Sequence, residues 1–237
     1  MKKRNGFSRP FHILQVVSWG ITAFHVLIPV MIAFNLNWEE LLGFVGTYAA
    51  LFFVKVYYGY KLTKSDPTSQ IDERYLDYNI VNYYCSLCKV FVKKRTKHCA
   101  CCDRCVDDFD HHCKWLNNCI GQANYRLFIK LIISLELFTG FLAAFEIFLL
   151  SERVQLDSDL LETTTFVVLV ADAILNLVVF LANGYLICAH IYLAKLGLTT
   201  YEYLVAIRNK NKEIVPEDNT GNIHSAHRSR VPSPGSN

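Results

Sequence analysis

The sequence predicts an all-α membrane protein: four transmembrane helices with a small cytosolic cysteine-rich domain between the second and the third. Three observations carry that expectation. The 237 residues are 52% hydrophobic, 14% aromatic and only 19% charged, against roughly a quarter charged in a soluble domain. Four long apolar stretches alternate with polar segments. Eight of the nine cysteines fall between Cys85 and Cys119. Together these exclude a disordered chain, a secreted disulfide miniprotein and a simple soluble enzyme.

A bilayer core takes about 20 helical residues. The first span is expected around Ile13 to Leu36, inside a stretch from Phe11 to Trp38 that holds no Asp, Glu, Lys or Arg until Glu39. Pro29 is expected to kink it. The basic arm 1–10 precedes a run too long for a signal h-region, with no small-residue cleavage site, so this span is expected to stay in the mature chain. The turn Asn37–Glu40 leads to a second span, Leu41 to Tyr60, whose Lys55 is read as snorkelling from near its end. The third runs from about Leu127 to Leu150 and carries Lys130, Glu136 and Glu146. The fourth lies within Thr163 to Ala194, with Asp172 its one charge. It exceeds one span, so its last turns are expected to project.

This gives an N-terminal arm 1–10, spans over 11–60, a polar domain 61–126, spans over 127–194 and a tail 195–237. Lys and Arg number four in the arm, eleven in Lys61–Arg126 and six from Lys195 onward. Asn37–Glu40 has none, and Ser151–Glu162 has Arg153 against four acids. The excess places both termini and the middle domain in the cytosol. In the tail, Leu198–Ile207 reads as a short amphipathic segment, and disorder is expected from Pro216 onward.

Asp172, Asn176 and Asn183 share one face of the fourth helix. They bond neighbouring helices, or they line a polar patch in a cavity or ion path. Glu136 and Glu146 allow the same two readings, and Glu146 also allows a place at an interface. His12, His25 and Cys188 are read as packing residues.

The cysteine-dense window carries the chemistry. The cytosol keeps thiols reduced, so metal is favoured over disulfides. Cys85, Cys88, His98 and Cys105 spell C-x2-C-x9-H-x6-C, and Cys99, Cys102, His112 and Cys119 repeat that pattern fourteen residues on. Two interleaved three-Cys, one-His sets suit two structural Zn ions. So small a domain would draw much of its folding free energy from the metal.

Cys101, His111 and Cys113 remain outside both sets. In Asp110-His111-His112-Cys113, a free thiol stands beside an imidazole and a carboxylate, the parts of an activated nucleophile. A thiol of ordinary pKa, about 8.5, is mostly protonated in the cytosol. His111 is the candidate proton acceptor and Asp110 its orienter. Cys101 has no such neighbours and is read as a bystander. The alternative for the whole region is a purely structural zinc platform.

On these residues the chain resembles the DHHC protein S-acyltransferases, the palmitoyltransferases. The resemblance rests on the cysteine and histidine spacing, on Asp110-His111-His112-Cys113 and on Asn124-x3-Phe128. Asp66-Pro67, Thr199-Thr200-Tyr201-Glu202 and the four-span topology add to it. Lys93 and Lys114 stand where the family commonly has proline, and the short tail offers no counterpart of its aromatic-Asn motif. The resemblance implies two structural zinc sites and catalytic Asp110, His111 and Cys113. It also implies a supporting role for Thr200 beside the aspartate and a place for Trp115 near the acyl chain. Palmitoyl-CoA is the implied donor.

The expected function is protein S-acyl transfer, from acyl-CoA at the lipid bilayer to cysteine-containing substrate proteins, through S-acyl-Cys113. The basic run Lys89, Lys93, Lys94, Arg95 and Lys97 has two readings, contact with CoA phosphates (Arg95 first) or attraction to anionic lipid. Membrane spans on both sides argue against nucleic acid. A membrane adaptor that retains the zinc scaffold without turnover is the alternative from another class. A multi-pass protein of the endoplasmic reticulum or Golgi is expected.

Overall fold

The computed structural model describes residues 2–33, 36–69, 83–152 and 160–214. Its helices are α1 (Ile13–Phe24), α2 (Ile28–Ala33), α3 (Trp38–Lys64), α4 (Tyr125–Glu152), α5 (Leu160–Leu196) and α6 (Thr200–Ile214). Among the described residues, four segments are long and apolar enough to cross a membrane: Ile13–Ile32, Trp38–Lys64, Tyr125–Ser151 and Thr163–Leu196.

Pro29 breaks the first span rather than bending it. It has no N–H for the His25 carbonyl, and its ring crowds that position. The chain therefore restarts as α2, with proline in the first turn, where a missing N–H costs nothing. The freed His25 carbonyl accepts from the Tyr48 hydroxyl of α3. The expected turn Asn37–Glu40 is the cap and first turn of α3. Asn37 Oδ1 accepts the Glu40 N–H at 2.9 Å, and Glu40 Oε2 accepts the Asn37 N–H at 3.2 Å, a capping box. At the far end of α5, Gly197 takes the left-handed conformation (φ 67°), and Leu198 N–H reaches back to the Leu193 carbonyl. That is a Schellman stop, and only glycine adopts it without strain.

The spans pack around Ile28, Ile32, Phe44, Tyr48, Phe138, Leu142, Leu149 and Leu169. Lys55 does not snorkel: it is buried, with Nζ 3.7 Å from the centre of the Phe138 ring. The polar residues of the fourth span bond across to α4. Asn176 donates to Glu146 at 3.2 Å, and Asn183 donates to Glu136 at 2.7 Å and to the Ile132 carbonyl at 2.8 Å. Glu146 is fully buried in this network and does not reach an interface. His25 packs edge-on against Phe138 as expected, and its Nε2 stands 3.7 Å from Asp172. Cys188 fills no interior space; it is exposed on α5.

Between α3 and α4 the described residues form three two-stranded antiparallel hairpins: β1 (Tyr83–Cys85) with β2 (Val90–Val92), β3 (Lys97–Cys99) with β4 (Arg104–Val106), and β5 (His111–Cys113) with β6 (Asn118–Ile120). The amphipathic segment expected over Leu198–Ile207 becomes helical at Thr200 and continues to Ile214. The stretch from Pro216 lies outside the described residues. Residues up to Tyr203 belong to one compact unit, and a second begins at Leu204.

Candidate active site and metal centres

The three hairpins repeat every fourteen residues, with the same register. Tyr84 faces Phe91, His98 faces Cys105, and His112 faces Cys119 at their centres. Each turn ends on a residue of positive φ: Lys89 (56°), Asp103 (53°) and Asn117 (51°). Cys85 and Cys88 flank the first turn, and Cys99 and Cys102 the second. The turn of one hairpin meets the central His–Cys pair of the next. Thus Cys85, Cys88, His98 and Cys105 gather in one group, and Cys99, Cys102, His112 and Cys119 in another, with all donor atoms of each within 4.8 Å.

These groups fit tetrahedral zinc. Bonds of about 2.3 Å to sulfur and about 2.0 Å to nitrogen place S and N about 3.5 Å apart. His98 Nδ1 lies 3.8 and 3.2 Å from Cys85 and Cys88 Sγ. His112 Nδ1 lies 3.8, 3.3 and 3.7 Å from Cys99, Cys102 and Cys119 Sγ. Behind the first group, His98 Nε2 stands 3.8 Å from the Asp103 carboxylate, a partner of the kind that orients a ligating ring.

The third hairpin explains the thiol left over. Cys113 occupies the place of Cys85 and Cys99, but Leu116 stands where Cys88 and Cys102 would recur. No fourth hairpin follows, because α4 begins at Tyr125. Cys113 is therefore a knuckle cysteine without a metal set. Instead it packs, half-buried, with Leu62, Leu116, Ile120, Phe128 and Ile187, an apolar cluster drawn from α3, β6, α4 and α5. Trp115, in the same turn, is half-exposed. Cys101 is exposed and outside both groups.

Beside Cys113 the charges are ordered. His111 Nδ1 donates to Asp110 Oδ2 at 2.6 Å, and Cys113 lies one residue beyond His112 on the same strand, β5. Burial alone would lower the His111 pKa, but the Asp110 carboxylate and the thiol outweigh it and push it up to about 9. Burial alone would raise the Asp110 carboxyl. The His111 hydrogen bond and the Thr200 amide hold it below its ordinary value instead. Thr200 N–H donates to Asp110 Oδ1 at 2.8 Å. Its hydroxyl is buried without a partner, so the support comes from backbone. Such an arrangement can accept a thiol proton, hold it, and return it.

Arg95 spans to the start of α6. Its Nε and Nη2 meet the two Glu202 carboxylate oxygens at 2.9 and 2.7 Å, a bidentate fork. Glu202 also accepts the Thr199 N–H at 2.9 Å, and its own N–H reaches Thr199 Oγ1 at 3.2 Å. Thr199-x-x-Glu202 is thus a capping box, which leaves the Thr200 amide for Asp110.

Sequence reasoning read residues 1–10 for charge alone. In the structure the arm is part of the hairpin domain. Lys3 Nζ donates to Asn117 Oδ1 at 2.8 Å, and Asn117 donates to the carbonyls of Gly6, Ser8 and Pro10. Arg104, fully buried, donates to the Arg4 carbonyl at 2.5 Å, to Asp66 at 3.2 Å and to Asn118 at 2.6 Å. Asn118 in turn donates to the carbonyls of Leu62 and Ser65 at the end of α3. No spacing in the sequence points from Asn117 or Asn118 to the arm.

Comparison with known proteins agrees with this geometry. A probable protein S-acyltransferase 20 of Arabidopsis thaliana is 40% identical over 138 residues, 53% of this chain and 19% of that protein. The human palmitoyltransferase ZDHHC18 is 49% identical over 72 residues, 30% of this chain and 19% of that protein. Mouse palmitoyltransferase ZDHHC14 is 52% identical over 64 residues, 27% and 13% respectively. The chain thus matches less than a fifth of the length of each of these relatives. The family model described as DHHC palmitoyltransferase matches residues 79–207, more than half of the sequence and all three hairpins. The chain belongs to the DHHC palmitoyltransferase family.

Proposed function

We propose that the protein is an S-acyltransferase that carries a long-chain acyl group, palmitoyl by family, from acyl-CoA to a substrate cysteine through S-acyl-Cys113. The observation that carries this reading is the Cys113 thiol itself. Among the described residues it belongs to neither metal group, follows Asp110-His111-His112 on the same hairpin, and sits against apolar side chains from three spans. An acyl-CoA offers a chain suited to such a cluster and a thioester at its head.

In the first step His111 takes the Cys113 proton while the sulfur attacks the thioester carbonyl. The new C–S bond replaces the bond to CoA, whose thiolate leaves with the proton from His111. In the second, His111 takes the proton of a substrate thiol, which attacks the acyl-enzyme, and Cys113 leaves and regains that proton. Asp110 keeps the imidazole oriented and stabilises its cationic form. Each step exchanges one thioester for another, so no external energy source enters. Two-step covalent transfer predicts ping-pong kinetics.

Cys85, Cys88, His98 and Cys105 would hold one zinc, and Cys99, Cys102, His112 and Cys119 the other. Bound there, zinc supplies cross-linking and charge, not a reacting group. Arg95 and the neighbouring lysines supply cationic groups for CoA phosphates or anionic lipid. The charge asymmetry supports cytosolic termini and a cytosolic hairpin domain; the membrane proposed is that of the endoplasmic reticulum or Golgi.

The test is incubation of the purified chain with labelled palmitoyl-CoA. A hydroxylamine-labile label on Cys113, passed on to an acceptor thiol, supports the enzyme. Intact zinc with no label would leave a binding adaptor.

A further inference from the structure

The chemistry above uses one imidazole, but a second stands beside it. His190, on α5, is buried, and its ring centre lies 6.3 Å from that of His111. Phe128 touches both rings edge-on, at 5.3 Å to His111 and 5.1 Å to His190. His190 Nδ1 is 3.0 Å from the Tyr125 hydroxyl, and Tyr125 also contacts Phe128. Tyr125 and Phe128 form the first turn of α4, which follows directly on the β5–β6 hairpin.

A single hydrogen bond to Asp110 fixes one nitrogen of His111 but leaves its ring plane to be set by packing. Phe128 supplies that packing, and His190 is its other neighbour. An apolar residue would fill the same space without needing a partner. A buried imidazole, by contrast, stays favourable there while it is satisfied, and the half-buried Tyr125 hydroxyl supplies the partner for its Nδ1. The pair thus ties α5 to the start of α4 at one defined distance.

We propose that His190 is a positioning residue for acyl transfer. Hydrogen-bonded to Tyr125, it holds Phe128 against His111 and so fixes the plane in which that imidazole meets the Cys113 thiol. The proposal rests on the S-acyltransferase reading. His190 touches neither the thiol nor the substrate in this account; it acts through Phe128.

The test is single-turnover acyl-enzyme formation by the purified full chain over a series of palmitoyl-CoA concentrations, with zinc content measured alongside. For His190→Ala the saturating rate constant should fall on the order of 10²-fold, the scale of a small misplacement of a reacting group. Half-saturation and zinc should stay at the wild-type values. His190→Asn places an amide near the Nδ1 position, keeps a partner for Tyr125, and should recover most of the rate. Tyr125→Phe should resemble His190→Ala. Three outcomes overturn the proposal: a wild-type rate in His190→Ala, a loss confined to half-saturation, or an Asn variant no better than the Ala variant. The Asn comparison decides even if His190→Ala folds poorly. Absence of an acyl-enzyme in the wild type would instead bring down the underlying reading, and this proposal with it.

Discussion

The backbone N–H of Thr200 donates to Asp110 Oδ1 across 2.8 Å. The first turn of a helix has free N–H groups and a positive dipole end, which favour a carboxylate. Thr199 and Glu202 satisfy each other's amides, so the Thr200 amide is the one aimed at the site. The other Asp110 oxygen is then committed to His111.

Because this bond comes from backbone, Thr200→Ala should leave acyl-enzyme formation close to wild type. Thr200→Pro should not. Proline is tolerated at the first helical position, so α6 would persist while the donor disappears. A markedly slower rate in Thr200→Pro with unchanged helicity by circular dichroism is the expected result. Equal rates in the two variants would assign the support to something other than the amide.

Metal analysis of the folded chain should give two zinc ions. Cys85→Ser should release the ion of the first group, and Cys119→Ser the ion nearer to Cys113, with loss of acylation. Cys101→Ser should alter neither metal nor rate, since that thiol is exposed and outside both groups. One ion or none in the wild type would defeat the ligand assignment.

Gly6 lies where the arm crosses the third hairpin. A Cβ there would stand 2.0 Å from the Leu116 carbonyl oxygen and 2.7 Å from Thr63 Cγ2. Gly6→Ala should therefore lower stability by roughly 1–3 kcal/mol, the usual cost of overpacking. Gly20→Ala, with nothing within 4 Å of its Cβ, is the matched control. A thermal melt in which both variants behave alike would argue that the arm is not seated on the hairpin.

Much of this site was legible because its signals are periodic. A fourteen-residue displacement in the sequence sorts eight candidate ligands and leaves Cys113 over, and the structure gathers the same two groups of four. Helical spacing likewise put Asn176 and Asn183 on a face that bonds α4. What escaped depends on contacts between residues far apart in the chain. Lys55 looks like a snorkelling lysine until Phe138 of α4 is placed under it. Lys3 looks like topology charge until Asn117 is found beside it. His190 and Tyr125 lie sixty-five residues apart, and neither belongs to a spaced motif. At Pro29 the expectation is a kink, and the structure has a break between α1 and α2 instead. That outcome, a break closed by Tyr48, required the partner helix.

The central claim is that Cys113 accepts the acyl group while its neighbour His112 only holds metal. The most direct measurement is mass spectrometry of the chain after incubation with palmitoyl-CoA, before and after hydroxylamine, with zinc content determined on the same samples. In the wild type a hydroxylamine-labile palmitoyl mass should map to Cys113. Cys113→Ser should keep both zinc ions and carry no such mass. His111→Ala should keep both ions and acylate about 10²–10⁴-fold more slowly, the usual contribution of a general base. His112→Ala should lose metal and activity together. A zinc ion lost from Cys113→Ser, or a labile acyl mass still present on it, would contradict the account.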